Sequence, residues 1–274
     1  MNYRHAFHAG NFADVAKHAI LLAVLTALKP ERVLDTHAGA GLYDLGGEDA
    51  RRTGEAQTGV ARLMEAADAP SVFGPLKAAV RRANPDGGLR WYPGSPRLAV
   101  DALASGASYA GFELQPDAHA QLVEALRGST RGVRVETPRV DGYAEAVRRL
   151  AQSAARTLLL VDPPFERADD YERILELTGG LRRTPGVGAL IWLPLKDLET
   201  FDAFLSRLEA QEPASLCAAQ VRVRPLDDPM RMNGCALVAV NLPDVDAQAR
   251  EACGWVAGRL GGPGALGRVE RLAG

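Results

Sequence analysis

A four-residue motif, Asp162-Pro163-Pro164-Phe165, follows directly after the apolar run at residues 157–161 and so lies at the carboxyl end of a predicted buried strand. The Asp162 carboxylate and the Pro163 carbonyl can both accept hydrogen bonds from the exocyclic amine of a base. That amine is a poor nucleophile, and two acceptors can turn its lone pair toward an electrophilic methyl group. Phe165 offers a ring on which an extruded base can stack. The motif therefore predicts methylation of an adenine amino group, with a plain Pro-Pro turn as the alternative.

A glycine-bearing turn follows another short apolar strand, at residues 32–35. Gly39 and Gly41 in this turn allow the backbone to approach a cofactor closely, as in the first motif of methyltransferases. A nucleotide-binding dehydrogenase is the alternative interpretation. Asp44, however, stands where the Gly-x-Gly-x-x-Gly pattern requires its third glycine, which disfavours a pyrophosphate cofactor.

Two more acidic residues come after predicted strands. Glu113 ends a strand at residues 108–113, where a carboxylate can accept hydrogen bonds from both hydroxyls of a ribose. Asp141, followed by Gly142, comes after a strand at 133–136 and can contact the adenine of a cofactor. Each acid alone is equally well explained as a helix cap or a turn residue. Together with Asp162 they close three successive strands, a pattern that favours cofactor binding.

Strands alternate with helices along most of the chain, which predicts an α/β, Rossmann-like fold: a mostly parallel sheet covered by helices on both faces. Ligands of such sheets bind beyond the carboxyl ends of the strands. The first helix is capped by Asn11, and Lys17 and His18 fall off its apolar stripe. Further strands are predicted at residues 157–162, 189–193, 216–223 and 235–240, with helices at 57–67, 75–83, 118–126, 143–151, 171–182 and 198–209. Between the glycine turn and residue 91 the sequence shows no convincing strand.

The composition, 274 residues with 47% hydrophobic side chains, indicates one globular domain spanning residues 1–274. A net charge of −2 gives no overall basic surface, so a nucleic acid would be bound by a local patch. Three cysteines without CxxC spacing argue against disulfides and zinc. The longest apolar stretch, residues 19–28, is about half a membrane span and lacks the flanks of a signal peptide. We expect a cytoplasmic protein without a membrane partner.

Three of the five histidines, His5, His8 and His18, lie near the amino terminus and suggest a metal site at first sight. No set of carboxylates accompanies them at the spacing of metal ligands. We therefore expect no metal, and the alternative is that they are ordinary surface histidines.

The chain resembles the bacterial 23S ribosomal RNA adenine-N6 methyltransferases of the RlmJ type. The segments that carry the resemblance are residues 3–11, 13–15, 17–18, 34–41, 92–96, 113, 141–142 and 162–165. They keep their order over most of the chain, and the amino-terminal block is the most specific of them.

The resemblance implies a methyltransferase domain with a small helical insertion at residues 53–90, the cofactor S-adenosyl-L-methionine and 23S ribosomal RNA as the substrate. It implies cofactor contacts from His18, His37, Ser95, Glu113, Asp141, Gly142 and Asp162, to which the glycine turn adds Gly39. It also makes Asp162 the catalytic residue and places Tyr3, His5 and Lys17 in a tail and a helix that close over the active site.

From this resemblance we expect Lys17 to act with Asp162 in catalysis, and Tyr3, His5, Pro163 and Phe165 to bind the substrate. Phe165 departs from the family, in which tyrosine is common, so stacking is kept and a hydroxyl contact is lost.

Two other functions compete with this interpretation. A DNA adenine-N6 methyltransferase shares the Asp-Pro-Pro-aromatic motif but normally carries a larger target-recognition region, which the sequence lacks. A catalytically silent RNA-binding protein on the same scaffold is disfavoured by the intact motif at Asp162. Methylation of a protein glutamine would favour Asn at that position. We expect the enzyme to be a monomer.

Overall fold

A mixed sheet organises the computed structural model, which describes residues 8–128, 132–151, 155–227 and 232–274. The strands are β1 (Arg32–Asp35), β2 (Leu42–Asp44), β3 (Trp91–Pro93), β4 (Ser108–Gly111), β5 (Arg134–Glu136), β6 (Thr157–Val161), β7 (Val187–Pro194), β8 (Leu216–Arg222), β9 (Gly234–Val240) and β10 (Leu266–Ala273). The eight-stranded sheet has the order β10-β8-β9-β7-β6-β1-β4-β5. Strands β5, β4, β1, β6 and β7 run parallel to one another. The pairs β7–β9, β9–β8 and β8–β10 are antiparallel.

Strand β1 marks the point where the order of the sheet reverses. From β1 the chain builds β4 and β5 on one side, then crosses over to build β6 and β7 on the other. In such sheets the crevice at the carboxyl ends of the strands around the reversal binds ligands. The predicted Rossmann-like, mostly parallel fold is thus confirmed, and the motif after β6 lies at its expected ligand edge.

Helices cover both faces of the sheet. They are α1 (Phe12–Leu28), α2 (Glu48–Thr53), α3 (Glu55–Thr58), α4 (Val60–Glu65), α5 (Gly74–Ala83), α6 (Ser95–Ala102), α7 (Pro116–Leu126), α8 (Gly142–Leu150), α9 (Asp170–Gly179), α10 (Leu198–Glu209) and α11 (Asp246–Leu260). Because neighbouring strand residues point to opposite faces, Val33 joins one core with α1, α6, α7 and α11, while Leu34 joins a second core with α8, α9 and α10.

Helix α1 begins at its cap Asn11, whose side chain accepts hydrogen bonds from the amides of Ala13 and Asp14. The predicted apolar stripe leaves Lys17 and His18 outside it, yet both side chains are buried, with 4% and 1% exposure. The reason is tertiary: α1 packs against α5, α6, α11 and β9, so it has almost no solvent face. Two polar side chains are thereby enclosed in the protein and need polar partners.

The segment between β2 and β3 forms the helical insertion, from α2 to α5. Its two flanking strands, which the sequence did not reveal, pair antiparallel with Leu42 opposite Pro93. The helix predicted at 57–67 is broken at Gly59, where an added Cβ would lie 2.1 Å from the Gly10 carbonyl oxygen. The insertion therefore docks onto the start of α1 through a backbone contact that only glycine permits. The bounds 53–90 for a separate subdomain stay a prediction.

Candidate active site

The turn after β1 is tied to the strands on both sides of it. The Thr36 amide donates to the Leu160 carbonyl of β6 at 3.0 Å, and the Ala38 amide donates to the Phe112 carbonyl beyond β4 at 3.0 Å. The residues that follow β1, β4 and β6 are thus gathered at one edge of the sheet. This is the edge at which the sequence predicts the site.

A buried ion cluster joins α1 to the motif after β6. The Lys17 Nζ lies 2.7 Å from Asp162 Oδ2 and 2.9 Å from Asp14 Oδ1. Burial alone would lower the pKa of Lys17, but the two carboxylates outweigh burial and raise it well above its ordinary value. Lys17 is therefore a permanent cation at the side of Asp162. The sequence predicted both residues for the site, and the structure brings them into contact.

The rest of the motif makes a tight turn into the core. Pro163 is buried, and Phe165 adopts a left-handed backbone conformation with φ of 50°. The Phe165 ring lies against Tyr171 at 5.0 Å and Trp192 at 6.0 Å between centroids, and remains half-buried. An aromatic residue at positive φ is uncommon and costs energy, so the surrounding packing must stabilise this backbone conformation. The turn thus fixes a ring beside Asp162 with part of its surface open.

The glycine turn meets Glu113. Gly39 and Gly41 both have positive φ, 64° and 75°, so this turn requires residues without a side chain. The Gly39 amide donates to Glu113 Oε2 at 2.9 Å, and the Gln115 amide donates to Oε1 at 2.7 Å. Glu113 therefore has the local turn role that was its alternative explanation. Its position beside the turn also fits the predicted contact with a ribose.

Asp141 caps helix α8 and forms an ion pair with Arg173. Its Oδ1 accepts from the Ala144 amide at 3.1 Å, and its two oxygens face the Arg173 guanidinium at 3.0 Å. The next residue, Gly142, packs so tightly that an added Cβ would lie 1.8 Å from the Thr36 carbonyl oxygen. Gly142 thereby holds α8 against the turn after β1. The cap was the alternative explanation of Asp141, and its cofactor contact stays a prediction.

His37 lies in the turn after β1, with its ring edge-on to Tyr143 at 4.8 Å and its Nδ1 2.8 Å from the Thr36 hydroxyl. Burial lowers the pKa of His37 to about 4, although Asp162 and Asp141 act in the opposite direction. The ring is therefore neutral at physiological pH. A neutral imidazole can bind a polar ligand without adding positive charge.

His18 connects α1 to the start of α6. Its Nδ1 is 2.7 Å from the Tyr92 hydroxyl, and its Nε2 is 3.1 Å from Ser95 Oγ. The predicted cofactor residues His18 and Ser95 are therefore neighbours. Tyr92 is a residue that the sequence did not single out, although it lies in the segment 92–96 that carries the family resemblance.

Asp35, at the end of β1, is a second buried acid that the sequence did not assign. It accepts a hydrogen bond from the Tyr109 hydroxyl at 2.9 Å. Burial raises its pKa to about 7, and the nearby Asp162 adds to the rise while the Tyr109 hydrogen bond opposes it. Its position at a strand's carboxyl end was the signal that could have revealed it.

The family model described as ribosomal RNA large subunit methyltransferase D, RlmJ, matches residues 29–271 of this chain. The chain belongs to the RlmJ family. Ribosomal RNA large subunit methyltransferase J of Escherichia coli is 34% identical to it over 267 residues, which cover 95% of this chain and 94% of that protein. The protein of the same name from Haemophilus influenzae is 31% identical over 259 residues, covering 92% and 91%.

A crystal structure of a Legionella pneumophila protein shares the fold of this RlmJ-family chain, with a TM-score of 0.85 and 25% identity over 96% of this chain and 98% of that one. Family membership confirms the resemblance drawn from the sequence. Tyr3 and His5, predicted to bind the substrate, lie outside the described residues. In the part of the chain that the structure describes, no three His, Cys, Asp or Glu residues are grouped to hold a metal ion. No helix in those same residues has the length and apolar character needed to cross a membrane.

Proposed function

We propose that this RlmJ-family protein methylates the N6 amino group of an adenine in 23S ribosomal RNA, with S-adenosyl-L-methionine as the methyl donor. The observation that carries the proposal is the ion pair of Lys17 with Asp162 at the head of the Asp162-Pro163-Pro164-Phe165 turn. It lies at the ligand edge of the sheet, in a chain whose curated relatives are named ribosomal RNA large subunit methyltransferases.

The residues at the ligand edge fit this cofactor. Gly39 and Gly41 in the turn have positive φ and no side chains, and the carboxylates of Glu113 and Asp141 follow the next two strands of the sheet, β4 and β5. We assign the turn to the amino-acid end of the cofactor, Glu113 to its ribose and Asp141 to its adenine. His18, His37, Ser95 and Gly142 complete the proposed contacts. When bound, the cofactor supplies an electrophilic methyl group on sulfur.

Asp162 and Pro163 orient the substrate amine. Since Asp162 Oδ2 is bound by Lys17, we assign Asp162 Oδ1 and the Pro163 carbonyl as the two acceptors for the N6 hydrogens. Holding both hydrogens fixes the direction of the nitrogen lone pair. This orientation favours attack by such a weak nucleophile on the methyl group. The half-buried Phe165 ring then stacks against the extruded base. Lys17 keeps the Asp162 carboxylate in place.

Tyr3 and His5 are proposed as further substrate contacts. This rests on the family resemblance of the amino-terminal block. The Nδ1 of His8, the first described residue, donates a hydrogen bond to Glu55 Oε1 of the insertion at 3.0 Å. His8 therefore lies beside the insertion, four residues before α1 begins at Phe12.

A transfer assay tests the proposal. Purified protein and cofactor labelled in the methyl group should label 23S ribosomal RNA, and hydrolysis of that RNA should yield N6-methyladenosine. Labelling of duplex DNA in preference to RNA would replace the proposal with DNA adenine methylation. RNA binding without any transfer would identify a silent RNA-binding protein. We also propose that the enzyme acts as a monomer in the cytoplasm, which sedimentation and cell fractionation can test.

A further inference from the structure

We propose that Asp14 is a positioning residue for the transfer reaction: it holds the Lys17 ammonium group against Asp162, so that the Asp162 carboxylate faces the substrate amine. This rests on the proposed function. Asp14 itself is not expected to touch substrate or cofactor, because its two oxygens contact Lys17 Nζ and the Gly10 amide. It acts through Lys17.

The geometry around Asp14 divides its two oxygens between two tasks. Oδ1 lies 2.9 Å from Lys17 Nζ, and Oδ2 accepts from the Gly10 amide at 2.9 Å. The first contact fixes the ammonium group, and the second fixes Asp14 to the chain that enters α1. A lysine side chain has a flexible four-carbon stem, and a single partner leaves much of that freedom. Contacts with two carboxylates restrict Nζ to one position, 2.7 Å from Asp162 Oδ2.

The backbone around Asp14 is itself tightly held. Gly10 has φ of 78°, and its carbonyl accepts from the Val60 amide at 2.8 Å. Asn11 caps the helix by accepting from the Asp14 amide at 3.0 Å. A carboxylate in the first turn of a helix is also stabilised by the helix dipole. Asp14 is therefore a fixed anion, well suited to place a mobile cation.

Charge balance gives Asp14 a second effect on Asp162. Lys17 carries one positive charge and is flanked by two carboxylates, so the three side chains sum to one negative charge. Without Asp14, Lys17 would be neutralised by Asp162 alone, and the carboxylate would be a weaker acceptor for the amine hydrogens. Asp14 thus leaves the negative charge of Asp162 for the substrate.

The test compares Asp14→Asn with a control, Asp246→Asn. Asp246 lies in the first turn of α11, is 7% exposed and pairs with Arg271 at 2.9 Å, so it is also a buried helix-start acid with a cationic partner. We expect Asp14→Asn to lower kcat about 100-fold, as expected for a misplaced catalytic group. Its KM for 23S RNA and its calorimetric Kd for S-adenosylhomocysteine should change less than threefold or so. Asp246→Asn should keep the parental kcat.

The pH profile separates positioning from a merely structural role. The titratable groups that face Lys17 are Asp14, Asp162, Asp35, Tyr43, Tyr92 and Cys235. Burial raises the pKa of Tyr43, Tyr92 and Cys235, so these three stay neutral in the alkaline range. Asp14 raises the pKa of Lys17, Tyr43, Tyr92 and Cys235, so its loss lowers all four, and Lys17 is the one of them that contacts Asp162. The kcat of Asp14→Asn should therefore fall toward alkaline pH as Lys17 loses its proton, whereas the parental kcat should not, because the parental Lys17 stays protonated.

Asp14→Glu keeps the charge on a longer side chain and should lower kcat by about tenfold with a parental pH profile. Parental kcat and pH profile in Asp14→Asn would overturn the positioning role. If Asp14→Asn does not fold, Asp14→Glu decides, and an unchanged kcat in that variant would overturn the role. A parent protein that methylates no RNA would instead overturn the proposed function, and the role of Asp14 with it.

Discussion

At the scale of single residues, the site combines a carboxylate held by a cation with an aromatic ring held in a strained turn. Asp162 contacts Lys17, and Phe165, at positive φ, packs its ring against Tyr171 and Trp192. Strain of this kind persists only where surrounding structure fixes it, and it is frequent at functional sites. Asp162 and Phe165 are therefore the first residues to substitute in a test of the mechanism.

Replacing Asp162 with Ala should abolish turnover, because an acceptor that orients the amine is lost. The protein should stay folded, since Lys17 keeps Asp14 as a partner, with a cost of about 1–3 kcal/mol for the lost contact. Methyl transfer and thermal unfolding measured side by side would show this. Turnover close to that of the parent would remove Asp162 from the mechanism.

Phe165→Ala should weaken capture of the base by about 1–3 kcal/mol, which is the usual value of one stacking contact. Phe165→Tyr should be tolerated, because the ring is retained and tyrosine is common at this position in the family. The measured quantity is kcat/KM on a 23S RNA fragment. A Phe165→Ala variant as active as the parent would show that the ring serves only the core.

At the scale of elements, helix α8 links the proposed cofactor residues Asp141 and Gly142 to the turn after β1. Asp141 caps it, Arg173 of α9 pairs with Asp141, and Gly142 presses it against Thr36. A cap and a ligand contact can be separated by substitution, because serine caps a helix well but is too short to reach as far as aspartate.

Asp141→Ala should therefore lower both the stability of the protein, by about 1 kcal/mol, and its affinity for the cofactor. Asp141→Ser should lose affinity but retain most of the stability. Chemical unfolding and calorimetric titration with S-adenosylhomocysteine give the two values. Equal affinity in Asp141→Ser and the parent would leave Asp141 with its cap alone.

The elements also show what the sequence could reveal. The strands and helices around β4, β6 and α10 were predicted within a few residues, because each is an apolar run or a regular stripe between turn signals. Strands β2 and β3 were missed because neither contains a β-branched residue and they pair only with each other, outside the main sheet. Helix α11 was missed because its small and apolar residues are spread around the helix and do not form a single apolar stripe. Strand β10 was missed because it is an edge strand with mixed side chains. The partners of Lys17 depend on chain segments far apart, which no local pattern contains.

At the scale of the whole molecule, the ligand edge contains two buried groups whose pKa values are shifted in opposite directions. The pKa of Asp35 is raised by burial to about 7, and that of His37 is lowered by burial to about 4. Between pH 4 and 7 the folded state holds a proton on Asp35 that the unfolded chain releases, so the Asp35 contribution to stability falls as pH rises. Below pH 6.5 the unfolded chain protonates His37 and the folded state does not, so the His37 contribution falls as pH drops.

Substituting Asp35 by a residue that does not titrate should remove its contribution to the pH dependence of the unfolding free energy. The stability of Asp35→Asn relative to the parent should rise between pH 5 and 7, by at most about 1.4 kcal/mol per pH unit, and level off above pH 7. Urea unfolding of both proteins at pH 5, 6, 7 and 8 measures the difference. A difference that does not vary with pH would mean that Asp35 is ionised throughout.

Helix α1 also sets the time at which the protein can become active. It is made first, yet it is buried against α11, near the other end of the chain, and its Lys17 pairs with a residue 145 positions later. During synthesis, an apolar helix with a lysine inside it must wait for nearly all of the chain to leave the ribosome before it is covered. The active site therefore forms only near the end of synthesis, when α11 and the Asp162 segment can pack on α1. In a shorter nascent chain α1 stays exposed, and chaperones can bind it.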